Sequence, residues 1–186
     1  MIEQFGEDCK EAIRKQFTTK RERKFRTRIS NVGRPLCQLQ MEKKGIKGEG
    51  QPYNNKMRNT FGDLIEALSV LILKASDVNV NSTQKGVTYD KDLDKIKIDG
   101  TYDIEIDNII YDIKSASPWA FENKFGDNGG FNSIAEDDPF GYMSQGYLYA
   151  ESENKKFGGW IVVNKSTGEW LVTETPKDDE EYKNKS

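Results

Sequence analysis

The chain has 186 residues, 35% of them hydrophobic and 11% aromatic, which suffices for one packed domain and leaves little room for a second. Because 32% are charged and no apolar run approaches the roughly 20 residues of a membrane span, we expect a soluble protein in the cytoplasm of its cell or host, without a membrane partner. Two cysteines exclude a four-cysteine metal site, and the lack of histidine removes the commonest general base and zinc ligand.

Charge is distributed unevenly along the chain. Residues 10–58 carry fifteen Lys/Arg and four Asp/Glu, a local charge of +11, whereas residues 59–186 carry a local charge of −11. The basic block from Lys20 to Arg28 fits either a phosphate backbone or a solvated helix face, and its composition favours neither. The predicted nucleic-acid-binding residues are Lys20, Arg21, Arg23, Lys24, Arg26, Arg28 and Arg34.

The N-terminal part is predicted to be helical and basic. Apolar residues at helical spacing indicate a helical arm over residues 1–30, and Ser30 is an expected N-cap for a short helix at 35–42. Glycines and polar residues at 43–55 indicate a loop. We therefore expect a basic helical arm and loop at 1–56, a core at 57–177 and a frayed acidic tail at 178–186, within a single structural domain.

The clearest predicted helix begins at Thr60 as N-cap, with Asp63 as an acidic capping-box residue. Eight of the ten residues from Leu64 to Leu73 are apolar, so this helix should be buried around most of its circumference. Glu66 inside it needs a partner or an outlet to water. The alternative places Glu66 on a narrow solvent stripe with Asp63 and Ser69.

The pattern changes to period two from Lys95. Apolar residues hold even positions up to Ile106, which predicts a strand bent at Gly100, and Asp107-Asn108 is a turn that returns into a strand over 109–115. A helix should start near Pro118, residues 125–132 should form a loop, and Asp138-Pro139 should cap a helix running to about Ser152. Two closing strands are expected at 158–163 and 168–173.

A two-residue turn fixes the register of this hairpin. It places Asp103 opposite Asp112, and Lys114 on the same face. Opposed like charges destabilise a sheet, so a divalent cation between them is the natural partner. The alternative is an ordinary exposed sheet face with alternating charges.

The tripeptide Asp/Glu-x-Lys alone means little, because the chain contains seven copies. Only the copy at Asp112-Ile-Lys114 lies on a strand opposite another carboxylate, and it follows Gly100-Thr-Tyr-Asp103. Together with Gly62-Asp-Leu-Ile-Glu66 and Gln145-Gly-Tyr-Leu-Tyr149, these motifs resemble the restriction-endonuclease-like, or PD-(D/E)xK, nuclease superfamily in its branch of RecB-like and phage exonucleases. The resemblance covers residues 62–149.

The resemblance implies an α/β (α+β) fold with a central mixed sheet flanked by helices, and Mg²⁺ or Mn²⁺ as cofactor. It implies Glu66, Asp103, Asp112 and the Ile113 carbonyl as metal ligands, with Lys114 positioning the attacking water. Gln145 and Tyr149 would reach the active site or the DNA phosphate, the alternative being plain helix packing. The chain departs from many relatives in having Glu66 in place of histidine, and from some in lacking the cysteines of an iron-sulfur cluster.

These features predict a metal-dependent DNA nuclease, first of all a phage-type exonuclease in DNA recombination, repair or degradation. The alternatives are a structure-specific endonuclease or junction resolvase, and a catalytically silent DNA-binding module. A cation-binding protein unrelated to DNA would leave the basic segment unexplained. A homo-oligomer is compatible with the sequence.

Overall fold

The computed structural model describes residues 2–18, 25–46, 53–90 and 97–183. Its centre is a five-stranded sheet in the order β1-β2-β3-β4-β5, in which β3 and β4 are parallel and all other neighbours are antiparallel. The strands are β1 (Val80–Tyr89), β2 (Ile98–Ile106), β3 (Ile109–Ala116), β4 (Lys156–Asn164) and β5 (Trp170–Glu174). The expected α+β class, with a mixed sheet flanked by helices, is confirmed.

Helices precede, interrupt and follow the sheet in sequence. They are α1 (Ile2–Thr18), α2 (Leu36–Lys43), α3 (Tyr53–Ala75), α4 (Pro118–Ala120), α5 (Gly130–Glu136), α6 (Tyr142–Ser152) and α7 (Glu180–Lys183). A 3₁₀ turn spans Ile29–Asn31, and a π-helical turn spans Phe121–Phe125. In the part of the chain that the structure describes, no helix combines the length and apolar character needed to cross a membrane.

Among the described residues, three apolar clusters hold the sheet to its helices. The largest surrounds Trp160 with Phe157 of β4 and with aromatic side chains from the segment between β3 and β4. A second joins Ile29, Tyr102 and Tyr149, and a third joins Ile104 and Ile113 to the α3 residues packed on them. Burying one such large side chain contributes about 1.5–3 kcal/mol. The α6 and α3 helices are thus fixed to the same pair of strands, β2 and β3.

The predicted hairpin register is confirmed next to the turn. Ile106 pairs with Ile109 and Ile104 pairs with Tyr111. On β2, Tyr102 packs in the second cluster and Ile104 packs in the third.

The N-terminal segment differs from the expected arm. Residues around Ile29 enter the core, since Ile29 is fully buried and Arg28 forms a β-bridge with Asp99. Ser30 lies within the 3₁₀ turn rather than capping the following helix, which begins at Leu36 after Pro35. The short helix itself is present as α2.

The long helix also departs from its prediction. It begins at Tyr53, so Thr60 is an interior residue whose hydroxyl donates to the Lys56 carbonyl. Leu64, Leu68 and Leu71 are more than half exposed, because neighbouring elements in the described chain cover only part of the helix. The helix is therefore less buried than its apolar composition predicted.

Strand β1 and helix α7 are among the elements that were not predicted. Strand β1 carries mostly polar residues and lacked a clear period. Part of the expected frayed tail forms α7, where Tyr182 contacts the Phe131 ring edge to face at 5.0 Å and Lys183 pairs with Glu151. Both additions result from tertiary packing rather than local sequence preference.

Candidate active site

The centre of the site is a fork between β2 and β3. Their ladder ends at the Ile104–Tyr111 pair, after which β2 continues along β1 and β3 continues along β4. At the fork the Asp103 carboxylate accepts a hydrogen bond of 2.7 Å from the backbone N–H of Ile113. The predicted pairing of Asp103 with Asp112 is therefore replaced by a side-chain contact, which keeps Asp103 between the two diverging strands.

Asp112 and Lys114, two residues apart on β3, form an ion pair. Asp112 is buried; its Oδ2 contacts the Lys114 ammonium, whereas its Oδ1 accepts no hydrogen bond within the described chain. Burial opposes the charge of Lys114, but Asp112 and Asp103 outweigh it and raise the pKa of this lysine. Its acidic neighbours thus favour the charged form of Lys114 at neutral pH.

Glu66 reaches the same fork from α3. Its carboxyl group accepts a hydrogen bond from the Gln84 amide and contacts the Asp103 carboxyl group. Burial raises the pKa of Glu66, and burial together with Asp112 raises the pKa of Asp103 well above its usual range. Like charges held this closely favour either a shared proton or a bound cation.

Gln145 and Tyr149 lie one turn apart on α6, and the Gln145 amide donates to the Tyr149 hydroxyl at 3.3 Å. Both line a cavity of about 470 Å³ beside Gly100, and Arg26 and Arg28 line the same cavity. Both arginines are exposed. Part of the basic segment thus lies next to Gln145 and Tyr149 of α6. The charges of Asp112 and Asp103 contribute to raising the pKa of Tyr149, after burial, so Tyr149 is also close to the fork.

The other predicted nucleic-acid-binding residues are placed differently. Arg34 pairs with Glu42 at 2.7 Å and bonds Asn31, so its guanidinium already has an acidic partner. Lys20, Arg21, Arg23 and Lys24 lie outside the described residues. Their role stays a prediction, as does that of the Ile113 carbonyl.

Sequence reasoning missed two residues at the fork. Gln84 lies on the unpredicted strand β1, so no motif indicated its contact with Glu66. Tyr142 lies 5.0 Å from the Lys114 ammonium, measured to the ring centroid. Its spacing of three and seven residues from Gln145 and Tyr149 was a helical signal that would have identified it.

The side chains at the fork can be tested for their fit to a hard cation. Within the described ranges, no three acidic or cysteine side chains are already grouped as a metal-ligand set. The available donors are nevertheless carboxylate oxygens, the type that Mg²⁺ and Mn²⁺ prefer, and the buried Oδ1 of Asp112 accepts no hydrogen bond from a described residue. The raised pKa values of Asp103 and Glu66 mean that their negative charges are disfavoured at this position, and a bound cation would favour those charges. The donor set fits such an ion.

Comparison with known proteins adds information about the fold alone. No protein-family model matches the chain, and no curated protein matches it. The crystal structure of a protein designated SSO0001 is similar, with a TM-score of 0.55, over 95% of this chain and 82% of that chain. At 13% sequence identity, this likeness demonstrates a shared fold and says nothing of activity.

Proposed function

We propose that this protein is a metal-dependent nuclease that hydrolyses phosphodiester bonds in DNA, in the first instance an exonuclease. The observation that carries the proposal is the fork itself. Carboxylates from α3, β2 and β3 lie within electrostatic reach of one another, beside a lysine whose pKa is raised. A purely structural cluster would gain nothing from leaving the buried Asp112 Oδ1 without a hydrogen bond among the described residues.

Glu66, Asp103 and Asp112 are the residues that would hold Mg²⁺ or Mn²⁺. When bound, such an ion lowers the pKa of a coordinated water and stabilises charge on phosphoryl oxygens. Lys114 is the positive group that the chain itself supplies to a phosphoryl oxygen or to the attacking water. Hydrolysis forms one phosphorus–oxygen bond to water and breaks the bond to the leaving sugar oxygen.

Gln145 and the two arginines beside it can donate to a neighbouring phosphate, and the largely buried Tyr149 forms part of the cavity wall. Arg26 and Arg28 are exposed and can neutralise a backbone that passes over the cavity. This gives the +11 segment a role in binding rather than in the chemical step.

The test is digestion of end-labelled linear DNA and covalently closed circular DNA, with Mg²⁺, with Mn²⁺ and with chelator. We expect the wild-type protein to degrade linear DNA only with metal, and Asp112→Asn to be inactive under every condition. Cleavage of the circular DNA would identify an endonuclease instead. Binding of DNA without any metal-dependent cleavage would identify a silent binding module and refute the proposal.

A further inference from the structure

An exposed aromatic surface lies beside the catalytic lysine. Phe140 stacks on Tyr142 with ring centroids 5.4 Å apart and planes inclined by 24°. The Lys124 ammonium lies 5.6 Å from the Phe140 ring and 5.4 Å from the Tyr142 ring. We name these three residues the aromatic shelf. It is continuous with the candidate active site, because Lys114 contacts the same Tyr142 ring.

Phe140 remains available to a ligand. Its side chain is 60% exposed, although burying a phenylalanine would gain free energy. Its backbone is held in a closed turn, since the Asp138 carboxylate accepts hydrogen bonds from the N–H groups of Tyr142 and Met143 at 2.9 and 2.8 Å. Gly141 completes the turn at a φ of 73°, against the backbone of Val32. The ring is therefore presented from a fixed turn rather than from a loose loop.

The chemistry of the shelf restricts its occupant. Two lysines on aromatic rings provide positive charge for a phosphate backbone and flat apolar area for a planar group. A base in an intact duplex already has both faces covered by its neighbours. An unpaired base offers a free face, and stacking it on an aromatic side chain is a recurrent way to bind single strands.

We propose that the aromatic shelf stacks an unpaired base of a nucleic-acid strand whose phosphate lies at Lys114. The preferred substrate is then a single strand or a frayed end rather than intact duplex. This inference rests on the proposed function for its catalytic meaning. Its binding test needs no cleavage, so the two can fail separately.

The test measures binding of the wild-type chain in the presence of chelator. Fluorescence anisotropy is recorded with a labelled single-stranded oligonucleotide and with the blunt duplex of the same sequence. Phe140→Leu keeps the apolar bulk and removes the aromatic face. We expect it to weaken single-strand binding about tenfold and duplex binding less than twofold. Phe140→Trp should retain wild-type affinity. Leu71→Ala, a change at another exposed apolar residue, should have no effect.

Stacking itself is read from 2-aminopurine placed in the oligonucleotide. Its fluorescence should be quenched by the wild-type protein and by Phe140→Trp, but not by Phe140→Leu. Lys124→Gln should reduce the slope of log affinity against log salt by about 0.7 for the single strand.

Equal losses on both substrates, unchanged quenching in Phe140→Leu, or absence of strand binding by the wild-type protein would overturn the inference. If the strand binds through Phe140 and magnesium supports no cleavage, the shelf stands and the nuclease proposal fails. If cleavage occurs while Phe140→Leu binds the single strand normally, the nuclease proposal stands and the shelf fails.

Discussion

The Asp103 carboxylate accepts a hydrogen bond from the backbone N–H of Ile113, so a side chain of β2 makes the contact with β3 where their ladder has ended. This bond holds an acid close to Glu66 and Asp112, although burial and the charge of Asp112 both disfavour ionised Asp103. Burial and the neighbouring acid therefore disfavour negative charge on Asp103 at the place where the proposed function needs a cation.

Replacing Asp103 with asparagine should stabilise the fold but abolish cleavage. Asparagine keeps an oxygen acceptor for the Ile113 N–H but removes the charge. A carboxyl group whose pKa is raised on folding makes the fold less stable as the pH rises above the ordinary carboxyl value, so Asp103→Asn should raise the free energy of unfolding at pH 7. Urea denaturation in chelator measures this, and metal-dependent cleavage should be lost.

The control for that experiment is Asp127→Asn, which neutralises an exposed loop carboxylate and should change neither quantity. A large loss of stability in Asp103→Asn would mean that the carboxylate is a structural element of the fork.

The ion pair of Lys114 with Asp112 should be strongly coupled. Lys114→Ala leaves a buried carboxylate without its cation and should lower the free energy of unfolding by about 3 kcal/mol. Asp112→Asn in the same chain should recover most of that loss, because the uncompensated charge is removed. A double-mutant cycle from chemical denaturation measures the coupling, and additive effects of the two changes would refute it.

The part of the site that sequence could predict is the part made by local geometry. A two-residue turn and a period of two are enough to bring Asp103, Asp112 and Lys114 to one hairpin. The separation of β2 from β3 was not predictable in this way, because it depends on each strand following a different outer neighbour, and β1 has no apolar period.

Contacts between distant elements were harder still. Glu66 was identified by its motif spacing, but its partner Gln84 depends on how α3 crosses the unpredicted β1. Similarly, nothing local indicated that Ile29 enters the core whereas Leu64 and Leu68 remain exposed. Burial is set by which neighbours cover a face, and a single helix does not encode them.

A buried hydrogen-bond network around Glu105, away from the fork, should make the free energy of unfolding depend on pH in the acidic range. Burial alone would raise the pKa of Glu105, but hydrogen bonds from Lys155, Ser82 and Tyr102 lower it to about 2. Its stabilising effect is therefore complete above pH 4.5, the ordinary value, and is lost as the pH falls toward 2.

We expect Glu105→Gln to lower the free energy of unfolding by about 2 kcal/mol at pH 7, an amount discounted for the partial exposure of Lys155. The difference from wild type should shrink between pH 4.5 and pH 2 in urea denaturation curves. A difference that is constant across this range would show that the Glu105 charge does not stabilise the fold. Glu122→Gln, which neutralises an exposed carboxylate, is the control variant.

Gly100, the first residue of the Gly-x-x-Asp motif, should be intolerant of a side chain because of Tyr149. A Cβ atom at Gly100 would lie 2.6 Å from the Tyr149 ring and 3.0 Å from Ile29, and both side chains are buried. Gly100→Ala should therefore displace Tyr149, cost about 1–3 kcal/mol of stability and lower the cleavage rate at least tenfold. Thermal unfolding and single-turnover cleavage measure the two effects.

Gly86→Ala is the matched control for this change. Gly86 pairs with Thr101 on the adjacent strand, and a Cβ atom there meets no described atom within 4 Å. If steric conflict with Tyr149 is the cause, Tyr149→Ala should cost less stability in the Gly100→Ala protein than in the wild type. In the Gly100→Ala protein, removing the ring also removes the conflict, and this offsets part of the cost. Equal costs in both backgrounds would mean that Gly100 is required for the bend of β2 itself rather than for space beside Tyr149.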